Sequence, residues 1–306
     1  MKLGGEEIEF TDNSGSVTIA SSVMTDLANG EYELIIATDV GSCFATVNVL
    51  KKVKISTVEE FLAIENDMVG YYVLANNISI YSGGGNATNY RFNKPLGFVQ
   101  SNVNPGTNVP FTGTLDGNGY TLTYNYSWGG PGSNNHDKSL FYIIGATGIV
   151  KNLGLNVTEG VGGAMARNAA LAWINNATIE NVYTKILFSH NAGGANETYG
   201  SAGLVVSNFG SINNCIVDYT MSLTSGVMPA AVVAMNNADA TINNTAAIVT
   251  CGVTINYQNV NSGTKLNTPI YTAHSDFYAA KGSFISGGFV ESDFWTIGEG
   301  SVTFGR

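Results

Sequence analysis

The chain is 306 residues long, carries a formal net charge of −10, and has only 12% charged residues against 44% hydrophobic ones. This composition excludes a disordered chain, which lacks apolar residues to bury. It also excludes a nucleic-acid binder, because no segment supplies a basic stripe. Three arginines (Arg91, Arg167 and Arg306) leave little with which to grip an acidic polysaccharide. The acidity belongs to the N-terminal part: residues 1–70 hold 12 acids and 4 bases, and the remainder is nearly balanced. Cys43, Cys215 and Cys251 form no CxxC or Cys/His cluster, so no metal site and no cofactor is expected. No run of about 20 apolar residues is present, so no membrane insertion is expected. The opening MKLGGEEIEF lacks the apolar stretch of a signal peptide. Export signals then lie outside this sequence, or the protein reaches its place without secretion, as a virion component does.

Residues 8–50 alternate between strand and turn patterns. Ser16–Ile19 reads as a strand, Leu27–Gly30 as a turn, Glu31–Thr38 as a strand, Asp39–Ser42 as a second turn, and Phe44–Val49 as another strand. The stretch SVTIASSVMTDLANGEYELIIATDVGS resembles the later half of the immunoglobulin-like modules of bacterial surface proteins. Three or four strands cannot close a sandwich of about seven. Residues 1–52 are therefore expected to be a partial Ig-like module, truncated or completed from elsewhere, and residues 1–50 to join a larger assembly or a longer chain.

Residues 57–67 read as a helix. Thr57-Val-Glu-Glu60 is a capping box, with Val58, Phe61, Leu62 and Ile64 forming an apolar face. The helix stands where the first repeat of a solenoid needs a cover.

Four segments then align without gaps, beginning at Val150, Ile179, Ile212 and Ile242. Each has Asn at its third place (Asn152, Asn181, Asn214 and Asn244), at spacings of 29, 33 and 30 residues. A β-branched apolar residue precedes each Asn by two, a polar one precedes it by one, and Val157, Ile186, Tyr219 or Val249 follows it by five. That is in–out strand alternation repeated about every 30 residues. Asn tolerates the left-handed backbone of a sharp corner, and stacked amides can bond as a ladder. A second strand precedes each segment, at Ser139–Ile144, Ala170–Ile174, Gly203–Val206 and Ala231–Met235, with turns such as Asn175-Asn-Ala177 and Asn208-Phe-Gly210 between the two. The turn Asp116-Gly-Asn-Gly119 fits an earlier repeat, with Gly119 at the ladder position. The predicted fold is all-β: a right-handed parallel β-helix over residues 53–306, with capping helix 57–67 and a C-terminal cap at about 284–306, where Trp295 plugs the last repeat.

FTGTLDGNGYTL (111–122), SLFYIIGATGIVKNLGL (139–155), TVEEFLAIENDMVGYYVLANNISI (57–80) and FVESDFWTI (289–297) resemble the GLUG-type, pectin-lyase-like β-helices of bacterial surface proteins. The resemblance spans roughly residues 55–300. It implies the β-helical fold and a cell-surface, adhesin-like setting, and it carries no catalytic residues with it.

Chemistry is sparse in the sequence. A glycosidase needs two carboxylates about 5–10 Å apart. The outward acids Glu180 and Asp218 occupy different columns, and Asp137, Glu159 and Asp239 lie at turns. A lyase of the pectate type wants a calcium-binding acid cluster facing a base, yet Arg167 and Lys185 have no such cluster opposite them. His136, His190 and His274 read as isolated loop residues, and no Gly-x-Ser-x-Gly elbow occurs. Binding is the better expectation. The insertions 81–110 and 124–137 carry Tyr90, Phe92, Tyr124, Tyr126 and Trp128, candidates for a platform that stacks on sugar rings or on a protein partner. The expected function is thus non-enzymatic: an extracellular or surface-displayed structural or adhesive protein binding a glycan or a protein. A virion fibre or decoration protein is the first alternative and a polysaccharide-degrading enzyme the second.

Overall fold

A computed structural model describes residues 1–13, 16–28, 30–80, 94–98, 108–126, 137–159, 167–188, 202–221, 230–251 and 268–306. The chain divides into two compact units, Met1–Val53 and Lys54–Arg306. No helix among the described residues is long and apolar enough to cross a membrane.

The first unit holds β1 (Lys2–Leu3), β2 (Glu6–Glu7), β3 (Phe10–Asp12), β4 (Val17–Ile19), α1 (Ser21–Asp26), β5 (Gly30–Thr38) and β6 (Gly41–Val49). Four of the strands form an antiparallel sheet in the order β2-β1-β5-β6, and β3 pairs with β4 alone. The turn predicted at Asp39–Ser42 becomes the tight β5–β6 hairpin, in which Thr38 pairs with Gly41. The helix α1 was not expected. Among its described hydrophobic residues the unit fully buries only Leu3 and Val49, whereas Val40 is 92% and Phe44 66% exposed.

The second unit begins with β7 (Lys52–Ile55), whose first residues lie at the boundary, and with α2 (Val58–Leu62), which runs into a 3-10 turn at Ala63–Asn66. The capping box is formed: Thr57 Oγ1 accepts from Glu60 N–H (3.2 Å), and Glu60 Oε2 accepts from the Thr57 (3.1 Å) and Ser56 (2.6 Å) amides. Phe61 and Ile64 are buried in the core this segment covers.

The strands that follow are β8 (Tyr71–Leu74), β9 (Ile78–Ser79), β10 (Thr114–Asp116), β11 (Thr121–Tyr126), β12 (Asp137–Lys138), β13 (Phe141–Ile144), β14 (Ile149–Glu159), β15 (Arg167–Asn168), β16 (Ala172–Asn175) and β17 (Thr178–Phe188). After them come β18 (Val205–Asn208), β19 (Ser211–Asn213), β20 (Ile216–Met221), β21 (Val233–Asn236), β22 (Thr241–Asn243), β23 (Ala246–Cys251) and β24 (Ile270–Tyr271). Helix α3 (His274–Ser286) and an antiparallel hairpin, β25 (Trp295–Ile297) with β26 (Val302–Phe304), end the chain. Each repeat gives strands to a long parallel sheet, where β14, β17, β20 and β23 are successive neighbours, and one strand to a four-stranded parallel sheet in the order β13-β16-β18-β21. The second unit is therefore built of long parallel sheets.

Register explains the alternation seen in the sequence. Leu115, Val150, Ile179, Ile212 and Ile242 are paired in one column, and Tyr124, Val157, Ile186, Tyr219 and Val249 in another. Both columns feed one continuous core. A parallel sheet repeats one residue environment from strand to strand, so a residue type that suits a column suits all of it. Thr184 is the exception in its column of Leu122, Leu155, Val217 and Ala247: it is fully buried, and its hydroxyl bonds no described residue.

The residues on the other side of these strands, Tyr183, Ile216, Ala246 and Ile248, form a second core with Phe277, Phe289, Trp295, Ile297, Val302 and Phe304. The C-terminal segment thus lies along the flank of the long sheet, across several repeats. The expectation that Trp295 plugs the last repeat does not hold: Trp295 packs against Tyr183 of β17, with ring centroids 5.9 Å apart, and Tyr183 belongs to an interior repeat.

Candidate functional site

Asn152, Asn181, Asn214 and Asn244 all adopt left-handed backbone, with φ of 52°, 54°, 54° and 48°. Each stands where its strand turns a corner, a conformation that costs Asn less than other residues with a Cβ. Asn181 Nδ2 donates to Asn152 Oδ1 (2.8 Å), and Asn214 Nδ2 donates to Asn181 Oδ1 (3.4 Å). The run starts on a carboxylate, because Asn152 Nδ2 donates to Asp116 Oδ1 (3.1 Å). Gly119 therefore does not hold the ladder position in the earlier repeat. Four residues there, Gly117 to Tyr120, span a corner that Asn152 and Leu153 span in the next repeat, and Asn118 (φ 50°) and Gly119 (φ 80°) share the left-handed turn.

A second amide ladder runs through the turns of the four-stranded sheet. Asn175 Nδ2 donates to Asn208 Oδ1 (2.8 Å), and Asn208 Nδ2 to Asn236 Oδ1 (2.7 Å). All three are buried, and each amide also bonds backbone of its own turn, as Asn175 does with Ala177. The sequence carried the signal, an Asn recurring at 175, 208 and 236, but those residues read only as turn formers.

The first ladder is covered by the strap Gly287–Arg306. Gly288 packs on Asn244: a Cβ built on this glycine would lie 2.9 Å from Asn244 Oδ1. Val290 exchanges two hydrogen bonds with Asn214, its N–H to Oδ1 at 2.6 Å and its carbonyl from Nδ2 at 2.8 Å. Ser292 and the Trp295 indole N–H (2.5 Å) reach Asn181. Arg306 bonds Asn118 Oδ1 (2.7 Å) while its guanidinium lies 5.9 Å from the Tyr120 ring centroid and 5.5 Å from that of Phe294. The strap thus crosses from the repeat of Asn244 to that of Asn118.

Beside the strap lies the one His–carboxylate pair among the described residues. The Asp218 carboxylate on β20 is buried. It accepts from His274 Nε2–H at 2.9 Å and lies 3.0 Å from the Tyr183 hydroxyl, which also lies 2.9 Å from the Val302 carbonyl. Burial first, and then the Asp218 charge, raise the Tyr183 pKa far above its ordinary value, so this phenol stays protonated as a donor. His274 is thus no isolated loop residue: it is the first residue of α3 and ties that helix to the sheet. Asp218 is enclosed by its partners, a geometry that fastens two elements together. Among the described residues no group of three or more His, Cys, Asp or Glu is placed to hold a metal ion.

Of the aromatic platform expected from the sequence, Tyr90, Phe92 and Trp128 lie outside the described residues, as do His136 and His190. Tyr124 is a core residue rather than a platform: it sits in the inward column with Val157 and Ile186, is 1% exposed, and its hydroxyl donates to the Ala170 carbonyl. Tyr126 ends β11, and its side chain is outside the description. Arg167 is paired in register with Asp137, again with side chains outside the description. Glu180 is exposed on β17.

Tyr126 does occupy a telling position. Tyr126, Glu159, Phe188, Met221 and Cys251 are paired in register, one to the next, and each is the last residue of its strand. The segments 127–136, 160–166, 189–201, 222–229 and 252–267 therefore all start from one row at the end of the long sheet. Comparison with known protein families, with curated proteins and with solved structures found no match to this chain.

Proposed function

We propose that residues 54–306 wind as a right-handed parallel β-helix of the GLUG-type, pectin-lyase-like kind, and that the protein is a non-enzymatic, surface-displayed binding scaffold. The observation that carries this reading is the row Tyr126, Glu159, Phe188, Met221 and Cys251, from which five connecting segments start side by side. A stack of parallel strands whose ends stand in one row suits a composite binding face at that edge, since a scaffold of this kind holds recognising residues in fixed register. The ligand is a glycan or a protein surface. The enclosed Asp218 further disfavours polysaccharide cleavage, because a carboxylate closed off by Tyr183 and His274 cannot reach a substrate.

The test combines retention and degradation. The protein is passed over a panel of polysaccharides and host glycans while polymer length is followed. Retention without shortening supports the scaffold, and replacing 127–136 by a Gly-Ser linker should then abolish it. Shortened polymer overturns the reading in favour of the enzymatic alternative.

The first unit favours assembly into something larger, a virion appendage or a multi-module surface protein. In β6 no residue is charged, and the strand pairs with β5 alone among the described strands. Such an uncharged, exposed edge is a template for strand pairing with another chain. A concentration-dependent rise in mass that disappears with Thr46→Pro, whose N–H points away from β5, supports this role, and a strictly monomeric protein at high concentration refutes it.

A further inference from the structure

We infer that the last residue of the asparagine ladder, Asn244, forms a binding site for a neutral hexopyranose unit of a glycan, in the cleft between the final repeat and helix α3. The inference rests on the glycan-binding reading above and moves one contact away from the loop row.

Asn244 has the ladder backbone but not the ladder bonds. Asn152, Asn181 and Asn214 each hydrogen-bond a neighbouring amide, and Asn181 and Asn214 also bond the strap. At Asn214 the strap takes the next position: the Val290 N–H fills the oxygen that Asn244 would otherwise bond. The Asn244 amide consequently has no hydrogen-bond partner among the described residues, and it lines an open cleft of about 300 Å³. That volume is at the small end of sites for small molecules.

The rest of the cleft has matching chemistry. Tyr271 and Phe284 contribute rings, Ile242 an aliphatic wall, and Thr268 and Ser283 hydroxyls that bond no described residue. Among the described residues that line it none is charged, which suits an uncharged ligand. A carboxamide offers a donor and an acceptor side by side in one plane. Two adjacent ring hydroxyls of a sugar offer the reciprocal pair, one accepting from Nδ2 and the other donating to Oδ1. Asn214 already uses its amide in this two-point way on Val290. The apolar face of a pyranose then packs on the Tyr271 or Phe284 ring.

The full chain is tested by biolayer interferometry against immobilised neutral gluco-, manno- and galacto-oligosaccharides, sialylated glycans and gelatin. Asn244→Asp keeps the left-handed backbone and the shape but removes the donor, and Asn244→Gly keeps the backbone and removes the amide. Circular dichroism melts verify that both remain folded. The expected result is retention on a neutral oligosaccharide that falls at least tenfold in both variants and is unchanged in Trp128→Ala. Binding to neutral sugar that survives both Asn244 variants but is lost with Trp128→Ala overturns this site and leaves the loop reading intact. Binding only to sialylated glycans or gelatin does the same. Retention on none of the surfaces overturns both.

Discussion

Replacing Asn181 by glycine isolates the worth of one ladder amide. Glycine accepts the 54° φ of this position without strain, so backbone geometry is preserved while the amide is lost. The amide accepts from the Trp295 indole N–H at 2.5 Å, donates to Asn152 Oδ1 at 2.8 Å and accepts from Asn214 Nδ2 at 3.4 Å. Trp295 is buried, so its N–H is stranded without water, at a cost of about 1–3 kcal/mol. The two ladder bonds contribute about 1 kcal/mol each. Glycine's larger unfolded-state freedom and its relief of left-handed strain are each about 1 kcal/mol and of opposite sign. The expected loss is therefore about 3–5 kcal/mol. Urea unfolding followed by far-UV circular dichroism measures it, and a double-mutant cycle with Trp295→Phe apportions it. In the glycine background the Trp295→Phe change should cost about 1–2 kcal/mol less, because the stranded N–H is gone. A loss below about 0.5 kcal/mol for Asn181→Gly, or identical Trp295→Phe costs in both backgrounds, would refute the argument that the strap is fastened through the ladder.

Thr184→Val removes a buried hydroxyl that has no described partner and keeps the side-chain shape; it should raise stability by about 1 kcal/mol, read as a higher urea midpoint. Thr57→Ala breaks the capping box at α2 and should cost about 1 kcal/mol, read the same way. Cys43 is exposed, whereas Cys215 is buried and burial pushes its thiol up to about 12; at pH 8 iodoacetamide should modify Cys43 within minutes and Cys215 only after denaturation, as peptide mass mapping resolves. Burial, followed by the Asp67 charge, raises Tyr72 to about 12, and Tyr183 is raised further by burial and Asp218. A raised phenol favours the folded state while both states are protonated. That stability is complete below the ordinary tyrosine value near 10 and is lost as pH climbs from about 10 toward 12. The urea midpoint should fall across that window, and less steeply in Tyr72→Phe.

The repeat was legible because parallel register copies one environment into each strand. The Val150, Ile179, Ile212 and Ile242 column and the four left-handed Asn residues needed no information beyond their own spacing. The core position of Tyr124 was legible too, since it shares a column with Val157 and Ile186, but an aromatic in a Gly- and Asn-rich stretch suggested a loop. What escaped has a common physical cause. The strap, the Asp218–His274 pair and the Trp295–Asn181 bond join residues 56 and 114 positions apart through a segment with no repeat of its own. Helix α3 escaped because HSDFYAAKGSFIS lacks a side-chain cap and a sustained apolar stripe, its one buried residue being Phe277. Its place is set by the ring contacts of Phe277 with Tyr271 and Phe284.

The strap also sets a limit on how this chain can change in length. Gly288, Val290 and Ser292 meet Asn244, Asn214 and Asn181 in turn, advancing one repeat for every two residues. Stacked repeats ordinarily gain or lose whole units by duplication, since each unit touches only its neighbours. Here a duplicated unit would widen the span by about 4.8 Å and bring in an asparagine with no strap residue opposite it. Val290 or Trp295 would then fall out of step with its amide. The C-terminal segment therefore works as a gauge: the number of repeats is matched to it, and the two can change only together.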